Sequence, residues 1–547
     1  MKVSTLPLAA HQKASRDVEL PYPNYHAILK ARASDAPNRD FLIFPESGRK
    51  YTYAEFYQVS LNAAASVGAK TPDFATACII FRNTPEFLAV FFGAMAHGIT
   101  AVPINPDLAL PEIEFIIENS GGAAVFYDSE LKTKFAPMVA KLSHVAFYPL
   151  GDVTELPPVD PSETEAKLPE VPPATPAAII YTSGTTGFPK GVVLSHMNFL
   201  VDGKGIAEWF QFDPETRSLC IMPLFHNNGL VISLTTTLHG GGSIVMVDPK
   251  ASLRSFWFLV ERYGANFTSV MPSILAAILA FGFDGRPGML RGIICGGQLL
   301  PLSLAMKFEA RFGIPIFEGF GSTEATSYSC FNGYPAEKRK LGSVGVVLPI
   351  SDMKVVDDDD NEVADGTEGE ICIRGANVAI GYHKLPELQL HRFRNGWYHS
   401  GDFGRRESDG HYYFRSRKDD LIVKGGEKIY PAEIENVLSS NIDVVESAVI
   451  GVDDPILGQE ICAFVQLKDQ ATVSESELMK FCAQSLAKFK QPKRIVIINR
   501  LEDMPELPKG PTKKILYRKL RDYYQGRLSN SEDIEGLKWV LGTQGAG

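Results

Sequence analysis

Residues 177–196 read AAIIYTSGTTGFPKGVVLSH, two apolar runs joined by a loop of glycines and small hydroxylated residues. The first run, 177–181, has the composition of a buried strand, and a second apolar run begins at Val192. A chain carrying this segment must bring a strand tip, a glycine-rich bend and a second buried segment together. Glycines at 184, 187 and 191 let the backbone approach a ligand closely and turn N–H groups towards it. Ser183, Thr185 and Thr186 add hydroxyl donors, and Lys190 adds a compact positive charge. Those are the groups a polyphosphate needs. The spacing differs from the usual P-loop, because Pro189 stands where its second glycine would be. By composition alone the segment reads equally well as a plain surface loop.

The neighbouring chain predicts a layered α/β architecture with parallel strands. Residues 53–67 have helical apolar spacing, 75–81 read as a strand, Pro85 and Glu86 suit the first turn of a helix, and 98–105 form the next strand. The Pro- and Glu-rich stretch 155–175 reads as a surface connector, and the run of aspartates at 357–360 as a solvated turn. Residues 219–226 form a strand ending in Phe225 and His226, and 227–229 open a helix that runs to Leu238. Segments 291–298 and 314–325 each run from a strand into glycines, the place where open α/β sheets bind ligands. Residues 369–375 alternate with period two. Strand and helix patterns alternate again over 443–500, as expected of a second, smaller domain, and 547 residues are too many for one core.

A formal net charge of −10 argues against a nucleic-acid binder and leaves anionic substrates open, since local lysines decide that. The seven cysteines are scattered without a CxxC pair, which favours reduced thiols over zinc. The first residues hold no apolar core for a signal peptide, and the longest apolar stretch, 87–102, is broken by Gly93, His97 and Gly98. A cytoplasmic protein without a transmembrane segment is expected.

Residues 181–196 closely resemble the phosphate-loop signature of the acyl-adenylate-forming (AMP-binding) superfamily, which includes acyl-CoA synthetases, beetle luciferases and peptide-synthetase adenylation domains. The resemblance spans residues 25–522, and further motifs follow in order. It implies nucleotide contacts from Thr182, Ser183, Gly184, Thr185, Thr186 and Gly187, with Lys190 on the phosphates. Residues 316–325 (IFEGFGSTEA) resemble the family's Tyr-Gly-x-Thr-Glu motif. By that match Glu324 binds Mg²⁺, Thr323 bonds the α-phosphate or acyl carboxylate, and Gly319, Phe320, Gly321 and Ser322 line the nucleotide. Phe320 stacks on adenine opposite Gly296, Gly297 and Gln298. Residues 396–404 resemble the Thr-Gly-Asp motif, making Asp402 the ribose acceptor. Arg417 contacts ribose or phosphate, Asp419 is the hinge, and Gly425 and Gly426 line the pantetheine tunnel. Residues 507–520 align Lys514 with the catalytic lysine. Phe320, Ser400, Ser416 and Lys513 stand where the family usually has Tyr, Thr, Gly and Gly.

The implied fold is α/β: a large multi-subdomain N-terminal domain of two α/β sheets plus a small β subdomain, and a small mobile α+β C-terminal domain. Its boundaries are 1–417 for the adenylation domain, 418–419 for the hinge, 420–525 for the mobile domain and 526–547 for a tail. The implied activity is ATP-dependent conversion of a carboxylic acid to acyl-AMP, then transfer to CoA with release of AMP and pyrophosphate. ATP, Mg²⁺ and CoA are the expected small molecules. The implied acyl pocket comprises Phe225, His226, Val270, Met271, Gly296 and Thr326, mostly apolar, which favours a fatty or aryl acid. His226 occupies the place where amino-acid-activating relatives carry an ammonium-pairing Asp, so an α-amino acid is disfavoured. A stand-alone enzyme loading a separate carrier protein, a luciferase-like oxygenase and a catalytically silent nucleotide- or acyl-binding relative are the alternatives.

Overall fold

A computed structural model describes residues 1–182, 189–249, 253–280, 289–510 and 515–529. The chain divides into two compact units between Phe414 and Arg415. It is a mixed α/β protein, with several sheets in the larger N-terminal unit and one in the smaller.

Local chemistry sets the helices of the first unit. Tyr53–Gly68 begins with a reciprocal box, in which the Thr52 hydroxyl accepts from the Glu55 N–H and the Glu55 carboxylate accepts from the Thr52 N–H. Pro85–Ala96 begins with Pro85 behind Thr84, whose hydroxyl accepts from the Phe87 N–H at 3.3 Å. Every residue of that helix is buried, so it carries apolar side chains all round instead of an amphipathic stripe.

A seven-stranded sheet runs in the order Gly381–Tyr382, Lys190–Ser195, Pro176–Thr182, Thr100–Pro103, Thr76–Ile80, Ala124–Asp128, Ala146–Leu150. Its last five strands are parallel to one another, whereas Lys190–Ser195 pairs antiparallel on both sides. A nine-stranded sheet carries the parallel neighbours Ile316–Phe320, Gly292–Cys295, Phe267–Val270, Arg217–Cys220 and Ser243–Met246 at its centre. Their C-terminal tips lie side by side, and these tips carry the glycine-containing segments.

A small antiparallel sheet of Ser351–Val356, Glu368–Gly375 and Trp397–Arg406 completes the unit. The alternation expected over 369–375 gives way to burial on both faces. Ile371 and Ile373 enter an apolar cluster with Met353 and Tyr398. On the other face the Cys372 thiol lies 3.3 Å from His399, which in turn lies 3.6 Å from Glu370. The aspartate run is also more than a solvated turn, because Asp360 pairs with Arg394 at 2.7 Å.

The second unit is built on the sheet Glu427–Ile429, Ile422–Lys424, Gly458–Leu467, Val444–Asp454, with Arg494–Ile497 parallel to Gly458–Leu467. Helices Pro431–Ser440 and Glu475–Ser485 pack Ile434, Leu438 and Leu478 onto its apolar face. All seven cysteines are free and buried. Among the described residues no helix is long and apolar enough to cross a membrane.

Candidate active site

The strands Pro176–Thr182 and Lys190–Ser195 form a hairpin in which Thr182 faces Lys190. Ser183, Gly184, Thr185, Thr186 and Gly187 lie outside the described residues. Gly191 has a cause within the fold, since a Cβ there would come within 2.8 Å of Ile179 across the ladder.

The outgoing strand packs against the turn Thr323–Ala325, which follows the strand Ile316–Phe320. Its other edge pairs with Gly381–Tyr382, register Tyr382 to Val192. This pairing carries the Tyr382 hydroxyl to Glu324, where it donates to Oε1 at 2.7 Å. The Glu324 carbonyl accepts the Ala379 N–H at 2.8 Å, so backbone and side chain are both held. Burial first, and then the charges of Glu324 and Asp402, raise the phenol of Tyr398 well above its ordinary value. Asp402 is 5% exposed, and its N–H donates to the Ser400 hydroxyl at 3.0 Å. The preceding Gly401, at φ +73°, donates its N–H to Glu370 at 2.8 Å.

Three of the glycines expected to line the site are also required by packing within the protein. A Cβ on Gly296 would meet the Tyr328 hydroxyl at 2.4 Å, and one on Gly319 would meet the Phe331 ring at the same distance. On Gly321 it would lie 1.8 Å from the Ser327 carbonyl. Gly297 is different: at φ +84° with open space beside it, it is set by backbone conformation. Gln298 beside it is half-buried. Phe320 is 7% exposed and packs among Ala325, Val344 and Met353, with Phe414 at 6.2 Å. Thr326 is fully buried at φ +65° and donates its hydroxyl to the Asn377 carbonyl at 2.5 Å. Its hydroxyl is therefore held by the fold.

Phe225 and His226 follow the tip of Arg217–Cys220, with their rings 5.0 Å apart. The surroundings lower the His226 imidazole to about 4, so the ring is neutral near pH 7. Val270 and Met271, at the neighbouring tip, are buried.

Glu318 escaped the sequence reading, although a carboxylate inside IFEGF is an anomaly that could have flagged it. It is 6% exposed, beside a cavity lined by Leu300, Ala305, Ile316 and Asn332. Burial pushes its carboxyl up to about 8, against a smaller opposing effect from the Leu300 N–H. Its folded pKa therefore exceeds the unfolded one. The protonated fold is fully stable below about pH 4.5, and stability falls as pH rises from there to about 8. The loss is on the order of 4 kcal/mol. Glu318→Gln should flatten that limb of the stability profile, which melting curves between pH 4.5 and 9 would reveal. An unchanged slope would show that Glu318 ionises freely.

In the second unit, Gly425 and Gly426 form the two-residue turn between Ile422–Lys424 and Glu427–Ile429, at φ +59° and +87°. A turn with two positive φ values selects glycine without any ligand. Both are exposed, and the Gly425 N–H donates to the Leu457 carbonyl at 2.8 Å. Arg417 is exposed. The side chain of Asp419 lies outside the described residues, while its neighbour Asp420 accepts from Arg521 at 2.7 Å. Lys514 also lies outside them. On either side of it, Lys509 and Ile515 form an antiparallel bridge, and Lys509 pairs with Glu446 at 2.5 Å. Tyr517 donates to Glu435 at 3.0 Å.

Residues 29–383 match the family model described as AMP-binding enzyme, and residues 433–509 match that of the AMP-binding enzyme C-terminal domain. The chain is 32% identical over 506 residues to a sulfoacetate–CoA ligase of Cupriavidus necator, covering 91% of this chain and 97% of that one. It is 31% identical to an oxalate–CoA ligase of Arabidopsis thaliana, covering 91% and 98%. Among solved structures it is similar to the o-succinylbenzoate CoA synthetase of Bacillus subtilis in complex with its acyl-adenylate intermediate, with TM-score 0.78, 29% identity and coverage of 91% and 98%.

Proposed function

We infer the reaction from one premise: the chain belongs to the AMP-binding enzyme family. It is an acid–thiol ligase that joins a carboxylic acid to AMP and then passes the acyl group to CoA. The observation that carries this reading is Glu324, held by Tyr382 in a turn that packs against the strand led by Lys190, with Asp402 buried in the same unit. One cation and two separated carboxylates suit a nucleoside triphosphate, with its anionic tail and its paired hydroxyls.

In the first half-reaction a carboxylate oxygen of the acid attacks the α-phosphorus of ATP, and the bond to pyrophosphate breaks. Such a transfer asks for alignment and charge neutralisation more than for covalent chemistry. We assign Lys190 and the 183–187 loop to the departing pyrophosphate, Thr323 to the reacting oxygens, and Asp402 with Arg417 to the nucleoside. Two neighbouring ribose hydroxyls suit one carboxylate, each oxygen accepting one. Lys514 offsets the repulsion between the acid and phosphate oxygens as they approach. In the second half-reaction the thiolate of CoA attacks the acyl carbon and AMP leaves. Asp419 is the pivot between the two states, and Gly425 and Gly426 then offer their exposed backbone to the pantetheine arm.

Among the described residues no cluster of three His, Cys, Asp or Glu side chains could hold a metal ion. A lone oriented carboxylate nevertheless fits Mg²⁺, which takes one or two carboxylates and completes its octahedron with phosphate and water oxygens. Glu324 would hold it, and its chemistry would be to neutralise phosphate charge.

Tyr382 orients Glu324, so Tyr382→Phe should raise the Mg²⁺ concentration for half-maximal adenylation by about tenfold, the scale of a hydrogen bond to a charged group. Magnesium-dependent binding of a non-hydrolysable ATP analogue should weaken in parallel. Unchanged binding would reduce Tyr382 to a packing residue.

The deciding experiment incubates the protein with ATP, Mg²⁺ and a panel of aliphatic and aromatic acids. Acid-dependent pyrophosphate release followed by acyl-CoA formation on addition of CoA is expected. Pyrophosphate release without any CoA thioester would instead assign the acyl group to a carrier protein. No release with any acid would overturn the reading.

A further inference from the structure

Beside the strand tips that carry Phe225 and Val270 lie buried polar groups that satisfy nothing. Asn227 is 7% exposed, and neither its amide nitrogen nor its amide oxygen has a hydrogen-bond partner among the described residues. The amide oxygen of the adjacent Asn228 is also buried and unpartnered. On the neighbouring strand, Ser269 is 2% exposed with an unpartnered hydroxyl. Its neighbour Thr268 donates to the Leu219 carbonyl at 2.8 Å, so this strand can satisfy a hydroxyl when nothing prevents it.

These groups belong to one place. Asn227 and Asn228 follow the tip of Arg217–Cys220, and Ser269 is the last residue but one of the adjacent strand Phe267–Val270. Side chains alternate along a strand, so Ser269 shares the face of Phe267. Phe267 packs in the cluster that contains Leu230, Val231 and Leu234, and the helical segment Asn228–Thr235 lies against this strand. Ser269 therefore faces the side of the sheet on which the asparagines open that helix. An unpaired buried amide or hydroxyl costs about 1–3 kcal/mol, so several at adjacent tips are unexpected unless something arrives to pair them.

We propose that Asn227, Asn228 and Ser269 recognise a neutral oxygen substituent, a hydroxyl or keto group, on the carboxylic acid. The inference rests on the ligase reading above and names its substrate class. A plain alkyl acid would leave the amide of Asn227 unpaired. A second anionic group would be buried without a counter-ion, since the sequence between 221 and 230, between 270 and 279, and between 296 and 300 holds no Lys or Arg.

The test measures pyrophosphate release with matched acids, hydroxybenzoates against benzoate and hydroxyoctanoates against octanoate. A site built to hydrogen-bond a substrate hydroxyl rejects the analogue lacking it strongly, so an advantage in kcat/KM of at least about 10²-fold is expected for one hydroxylated member. Asn227→Leu should erase that advantage. Ser269→Ala should reduce it, and carries the test should Asn227→Leu fail to fold. Both variants should bind a non-hydrolysable ATP analogue like the parent. Equal kcat/KM within every pair, or a loss in the variants shared by both members, would overturn this inference while leaving the ligase reading intact. No release with any acid would overturn both.

Discussion

Replacing Lys514 by alanine should slow acyl-adenylate formation by about 10²–10³, the scale of losing one charge-stabilising donor in a nucleotidyl or acyl transfer. Formation of the thioester from supplied acyl-adenylate should be nearly unaffected. The asymmetry follows from where charge accumulates. Two anions must approach in the first half-reaction, whereas in the second the thiolate attacks an acyl carbon already activated as a mixed anhydride on a bound nucleotide. The described surroundings suit a lysine delivered from a fixed base. Lys509 and Ile515 bridge, Lys509 pairs with Glu446, and Tyr517 is tied to Glu435 within the same unit. Single-turnover pyrophosphate release measures the first step, and acyl-CoA formation from synthetic adenylate measures the second. Equal losses in both would reject a lysine used in one state only. No loss in either would move the charge to another residue, for which Lys513→Ala is the natural comparison.

What the sequence disclosed and what it hid divide along a physical line. Local patterns carried the fold. Pro85 behind Thr84, the Thr52–Glu55 box and the paired glycines at 425 and 426 are each legible because their partners lie within a few residues. What depends on distant neighbours was not legible. The packing of Tyr328, Phe331 and the Ser327 backbone against Gly296, Gly319 and Gly321 joins segments that no local pattern connects. The Thr326 hydroxyl finds its acceptor on Asn377, some fifty residues on. Tyr382 gains a role only through strand pairing with Val192, which carries it to Glu324. The isolation of Asn227 is a tertiary property too, since no local pattern reveals that an amide will be buried without a partner.

Glu324→Gln should produce the other large loss, about 10²–10³ in adenylate formation, by removing charge without changing shape. The amide keeps an oxygen that can accept from Tyr382, and the Ala379 N–H still reaches the backbone carbonyl, so the turn Thr323–Ala325 should hold. What disappears is the negative charge beside the strand led by Lys190. If that charge exists to hold Mg²⁺ against the nucleotide, the variant should need far more Mg²⁺ for adenylation, and titration calorimetry with a non-hydrolysable ATP analogue should lose its magnesium-dependent gain in affinity. Tyr382→Phe, which keeps the charge and frees its position, should fall between the parent and Glu324→Gln on both measurements. The order matters more than either value. Were Tyr382→Phe the more damaging of the two, the carboxylate would be serving the tyrosine as a structural acceptor. Were neither to alter the magnesium titration, the ion would be held by phosphate oxygens and water alone, and Glu324 would have no part in holding it.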